Sequence, residues 1–201
     1  MVYGVAAGFA ILLVWQQLDT AEATTQREAS NVEAIYRLAG HLPESARDQA
    51  QELTRTYAQV VVEEEWPLLA QGQASSHAQN TLDELRGNIQ GFEPQTMAEQ
   101  ALYTQLLTKI DELDENRELR LLQSQEGVPP LVWVVLVMTG IITVAFAYLL
   151  GAESPRIHLL RVTALTVVVA LSLYTVHFIE HPFVGDVQVG PQAFEMVLDR
   201  I

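Results

Sequence analysis

The chain has 201 residues, 49% of them hydrophobic, yet it carries a net charge of −14, a pairing that a uniform soluble domain rarely shows. The charge is segregated: Met1–Leu18 and Gly127–Ala152 contain no charged residue, while Asp19–Gly127 holds 20 Asp and Glu against 8 Lys and Arg. This pattern excludes an ordinary soluble enzyme, a disordered chain and a nucleic-acid binder with a basic surface, and the lack of cysteine excludes disulfides, thiolate metal sites and cysteine nucleophiles.

Residues 1–18 read as a transmembrane helix about 27 Å long. Ala21-Glu22-Ala23 is a small-residue triplet of the kind that follows a signal peptide, but no positive charge precedes Arg27, as a signal peptide requires. Trp15-Gln16-Gln17 fits a retained span reaching an interface.

Residues 19–127 read as an acidic helical-bundle domain outside the membrane. Val32, Ile35 and Leu38 mark its first helix, and Ala46, Ala50, Leu53, Tyr57, Val60 and Glu64 step by fours and threes along the second. Leu82, Leu85 and Ile89 mark a third helix, and Leu102, Leu106, Ile110 and Leu113 a fourth. Turns are expected at 40–43, 67–72 and 91–94, with Pro43 and Pro94 in the first turn of the helix that follows. Nothing strongly stops a helix between Trp15 and Leu38, or between Gln95 and Gln125. The outer helices are therefore expected to run into the membrane spans without a break.

Residues 128–150 are the strongest span, about 35 Å as a helix against roughly 30 Å of hydrocarbon. Pro129 and Pro130 open it, and Trp133 and Tyr148 lie near its ends. A short basic loop, 151–161, separates it from a second span at 162–179. Arg156 and Arg161 beside the spans favour a cytoplasmic loop, which puts the acidic domain on the outside. Residues 180–201 read as a C-terminal turn, Pro182-Phe183-Val184-Gly185-Asp186, and a short amphipathic helix striped by Phe194, Val197, Leu198 and Ile201 that docks on the acidic domain. The fold class is thus all-α, with three transmembrane helices and an inserted helical bundle.

Two clusters could carry chemistry. His177-Phe178-Ile179-Glu180-His181 matches the H-x-x-E-H zinc pattern, with His177 and His181 on one helix face. Pro182 ends that helix and no catalytic domain surrounds it, so the expectation is no metal, no cofactor and no enzyme. The second cluster is Glu63-Glu64-Glu65-Trp66-Pro67. Three successive carboxylates spread too far around a helix to share one ion. Glu64, on the seam, is expected to face inward and to pair with Arg117 and Arg120 in an ion-pair network. Repeated around an oligomer, the same carboxylates would ring a pore mouth.

The chain resembles an uncharacterised bacterial membrane family classed as bestrophin-like. The resemblance rests on Arg27-Glu28-Ala29, Ile35-Tyr36-Arg37-Leu38-Ala39, Glu64-Glu65-Trp66-Pro67, Arg117 with Arg120-Leu121-Leu122, and Pro130-Leu131-Val132-Trp133. His181-Pro182-Phe183-Val184-Gly185-Asp186 and Val189-Gly190-Pro191-Gln192-Ala193-Phe194 complete it. Such members usually have four spans, one of them before the first span here, and have Asp where Glu180 stands. The resemblance implies a multi-pass protein of the bacterial inner membrane and an analogy to bestrophins, which are pentameric anion channels. Joined to the acidic charge, it leads to a homo-oligomeric ion channel with an acidic vestibule that favours cations. Its partners are the lipid bilayer and further copies of the chain, with no nucleic acid. The alternative is a non-conducting scaffold or accessory subunit whose acidic domain docks a protein partner.

Overall fold

Each helix of the chain starts and stops where its local chemistry directs. A computed structural model describes residues 2–150, 154–185 and 187–201. Met1, residues 151–153 of the expected loop and Asp186 of the expected turn lie outside the described residues. The described chain is all-α, and three of its stretches are long and apolar enough to cross a membrane.

Helix α1 (Val2–Ala39) is unbroken, since no proline or glycine pair interrupts it after the apolar stretch. Helix α2 (Glu44–Val60) begins directly after Pro43 and continues as a π-helical turn (Val61–Glu65) into α3 (Trp66–Leu69). Gly72 then reverses the chain at φ +65°, with the Gln73 and Gly72 amides donating to the Leu68 and Leu69 carbonyls. This is a left-handed helix ending that glycine adopts without a Cβ penalty. Helix α4 (Ser76–Gln90) is capped by the Ser75 hydroxyl, which accepts from the Ala78 amide. Helix α5 (Met97–Gln125) starts with a reciprocal capping box: the Glu99 amide donates to Thr96 Oγ1 at 3.2 Å, and the Thr96 amide donates to Glu99 Oε2 at 3.0 Å. Pro43 and Pro94 therefore precede their helices instead of lying in the first turn.

The expected continuity of the last bundle helix into the membrane does not hold. Helix α5 stops at Gln125, and α6 (Pro130–Leu149) starts after a non-helical Glu126–Pro129. Gly127 lowers helix propensity there, and each proline pushes the residue before it out of the helical region. Pro129 accordingly sits at ψ 137°. Helix α7 (Pro155–Ile179) begins well before Val162, so 155–161 of the expected loop is helical, with Pro155 at the tolerated first position. Helix α8 (Gln192–Leu198) closes the chain.

The chain forms two compact units. One comprises Met1–Asp19 and Glu126–Gln188. Tyr3, Ala7, Ala10 and Val14 form one stripe of α1 and pack with Leu136, Val169 and Val176. Gly140 permits a close approach, because a Cβ there would lie 3.0 Å from Val169 Cγ1 and 3.3 Å from Tyr3 Cε2. Tyr3 reaches across to α7, its hydroxyl 3.1 Å from the Val169 carbonyl and 2.9 Å from Ser172 Oγ. Large side chains such as Phe9, Ile141, Phe146 and Val168 point outward, as lipid-facing surfaces do.

The other unit comprises Thr20–Gln125 and Val189–Ile201. Its four long helices pack in a cycle. Gln51 of α2 donates to the Tyr36 carbonyl of α1, α2 packs on α4, Arg86 of α4 pairs with Asp111 and Asp114 of α5, and Gln123 of α5 donates to Thr24 of α1. The apolar stripes Val32/Ile35/Ala39, Ala50/Tyr57/Val61, Ala78/Leu82/Leu85/Ile89 and Leu106/Ile110/Leu113 meet in one core. Phe194 and Val197 bring α8 into it, and Arg55 donates to the Ile201 carbonyl.

Candidate functional site

The stripes that build this core do not stay apolar. On α1 the inward positions Ala21, Thr25, Glu28, Val32, Ile35 and Ala39 are all buried, so Glu28 occupies a seam place. On α5 the run Leu106, Ile110, Leu113 continues inward as Arg117 and Arg120. Carboxylates and guanidiniums thus arrive from different helices at one level of the core.

Arg120 is the hub and is fully buried. Its Nε and Nη2 donate to the two oxygens of Glu28 at 2.6 and 3.0 Å, and Nη2 also donates to Glu65 Oε1 at 2.6 Å. Arg117 grips the same Glu65 with Nε at 3.2 Å and Nη2 at 2.6 Å, while its Nη1 donates to Gln79. The Ser75 amide donates to Glu65 Oε2 at 3.0 Å, and the Tyr57 hydroxyl donates to Glu28 Oε1 at 2.7 Å. The Arg120 guanidinium lies over the Trp66 ring at 5.1 Å and the Phe194 ring at 6.0 Å, a cation–π contact.

The electrostatics follow from that geometry. Burial by itself raises the Glu65 carboxyl, but Arg120 and Arg117 outweigh it and hold the group below its ordinary value. Burial pushes the Tyr57 phenol far up, helped by the Glu28 charge, so it remains a donor. Two carboxylates and two guanidiniums cancel in charge, and every carboxylate oxygen is engaged. Such a set ties α1, the π turn and α5 to one register, and it leaves no free base, nucleophile or metal-binding oxygen.

The three adjacent glutamates separate in this setting. Glu65, not Glu64, is the inward one: Glu65 is fully buried, whereas Glu63 and Glu64 are exposed. The π turn is the reason. A regular helix carries the seam of Tyr57 and Val60 to position 64, and the wider turn at 61–65 adds one residue and rotates position 65 inward. Glu64 instead meets His77 Nδ1 at 3.0 Å on the surface. Arg117 and Arg120 therefore join Glu65 and Glu28. Glu28, which the sequence marks only within the Arg27-Glu28-Ala29 motif and without a role, is the second buried carboxylate, and its place in the α1 stripe is the signal for it. Trp66 covers Arg120, and Pro67 is exposed at the start of α3.

In the apolar unit, Pro182 and Phe183 are buried and Gly185 takes φ +102°, a backbone state suited to glycine. At the expected H-x-x-E-H cluster, His177 Nδ1 lies 2.6 Å from Glu180 Oε1, and the His181 ring packs beside Gly127. Trp133 Nε1 donates to the other Glu180 oxygen at 2.9 Å. Among the described residues no group of three or more His, Asp and Glu could hold a metal. The hydroxyls of Thr139, Thr143 and Thr166 donate to carbonyls of their own helices. Gly140 is likewise occupied within the chain by Tyr3 and Val169.

No curated protein and no solved structure matches the chain. A family model does, the Bestrophin-like domain, and it covers residues 1–194, taking in the apolar helices, the buried ion-pair network and the turn before α8. The chain belongs to the bestrophin-like family of membrane proteins.

Proposed function

We propose that the protein is a homo-oligomeric channel whose acidic helical units form a cation-favouring vestibule. The observation that carries this reading is a bestrophin-like chain with three apolar helices whose buried stripes pack on one another. In this reading the path for ions forms between copies. The acidic unit supplies the field. Glu65 is neutralised by its arginines, so the vestibule charge rests on surface acids such as Glu63, which is exposed and has no ion-pair partner among the described residues. Repeated around a ring, such charges raise the local cation concentration in a salt-dependent way. The membrane is the bacterial inner membrane, and the Arg156–Arg161 pair favours an extracytoplasmic acidic unit. A cysteine placed at the exposed Ser76 should then react with an impermeant thiol reagent in intact cells, and labelling of folded protein only after lysis would reverse the orientation.

The deciding experiment is conductance of the purified protein in planar bilayers, with the reversal potential measured under a KCl gradient. A cation-selective current that loses selectivity at high salt is expected. A chloride-selective current would remove the acidic vestibule. Silence across voltage, pH and calcium, with a monomeric mass, would favour a non-conducting accessory subunit whose acidic unit docks a protein.

A further inference from the structure

The helical unit carries 20 Asp and Glu against nine Lys and Arg, so two copies repel over most of their surfaces. Nearly every cation is already committed within the chain. Arg37 and Arg200 are on Glu33, Arg47 on Asp48, Arg86 on Asp111 and Asp114, Lys109 on Glu112, Arg55 on the Ile201 carbonyl, and Arg117 and Arg120 are in the core. Among the described residues of the unit, Arg27 is the one Lys or Arg with no hydrogen bond or ion pair. It is exposed and lines a groove of about 620 Å³ between α1 and α5, together with Asn31, Asn116, the paired Lys109 and Glu112, and Glu115.

The cyclic packing order α1, α2, α4, α5 sets the α1/α5 edge opposite the α2/α4 edge. That opposite edge is bridged on its surface by Glu64 of the π turn and His77 of α4. Glu64 is half exposed, and only its Oε1 is engaged. The two edges also share a level. The buried network crosses the bundle from Glu28 through Arg120 to Glu65, and Arg27 and Glu64 are the sequence neighbours of its two ends. An uncommitted cation and an available carboxylate therefore stand on opposite faces of one unit at matched height.

We infer that the α1/α5 groove of one copy receives the α2/α4 edge of the next, with Arg27 meeting Glu64 of a neighbouring subunit. Opposite-face contacts of this kind are heterologous, and they close into a ring when the rotation allows. A surface ion pair contributes little affinity, but it fixes register, because Arg27 is, among the described residues, the cation of the unit left without a partner in its own chain and like charges brought together cost affinity. The inference rests on the homo-oligomer proposed above and names its contact.

The chain has no cysteine of its own, so introduced pairs report cleanly. Full-length R27C/E64C protein in native membranes, treated with a short bismaleimide, should give a covalent ladder up to the copy number found for the wild type by native mass spectrometry. R27C or E64C alone should give none. Charge reversal R27E should raise the concentration at which the oligomer dissociates about tenfold, and R27E/E64R should restore it. A wild-type oligomer whose R27C/E64C form does not cross-link, or whose R27C form links to itself, overturns this contact and leaves the homo-oligomer standing. A monomeric wild type overturns both.

Discussion

Replacing Glu65 by glutamine and, separately, Glu64 by glutamine separates the buried network from the surface charge next to it. Glu65 is fully buried and accepts from both Arg117 and Arg120. Glutamine keeps the shape, removes the charge, and leaves two buried guanidiniums to share Glu28. Breaking a buried ion pair in this way costs about 3–5 kcal/mol. For a unit of roughly 120 residues, each kcal/mol moves Tm by about 4 °C, so Glu65→Gln should lower it by about 12–20 °C. Glu64 is half exposed, so Glu64→Gln should change stability by no more than about 0.5 kcal/mol. The assay is thermal unfolding of the full chain in detergent, followed by Trp66 fluorescence with Trp15 and Trp133 replaced by phenylalanine in every sample. Equal penalties for the two substitutions, or a larger one for Glu64→Gln, would refute the register assigned to the π turn.

Acid should expose the same network. Arg120 and Arg117 hold Glu65 below its ordinary 4.5, so its pairing contributes fully above that pH and is lost as pH falls through the lower folded value. Tm of the wild type should therefore decline below about pH 4.5 more steeply than that of Glu65→Gln, and parallel slopes would argue against the assignment. Deleting Glu63 removes the extra residue of the π turn and brings Glu65 onto the regular helical seam. The variant should fold, and adding Glu65→Gln to it should again cost about 3–5 kcal/mol; a small cost would mean that the carboxylate had left Arg120.

Much of the architecture is local and was legible. Charge segregation separates the apolar helices from the acidic helices, because no stretch can satisfy lipid and carry many carboxylates at once. The four stripes of the bundle follow from spacing alone, and that spacing also marks Glu28, Arg117 and Arg120 as inward once their rows are followed past the last apolar residue. The break at 126–129 was readable in Gly127 and the paired prolines. The turn from Glu64 to Glu65 was not. Any of the three glutamates satisfies the local rules of a helix, and the π turn that selects the third is held by Arg117 and Arg120, 52 and 55 residues away in the chain. The edges that carry Arg27 and Glu64 could not be paired from spacing either, since their opposition depends on the order in which four helices close. Periodicity reports what one helix turns inward; the identity of the group it meets is a property of the packed core, where a buried charge is tolerated only beside its partner.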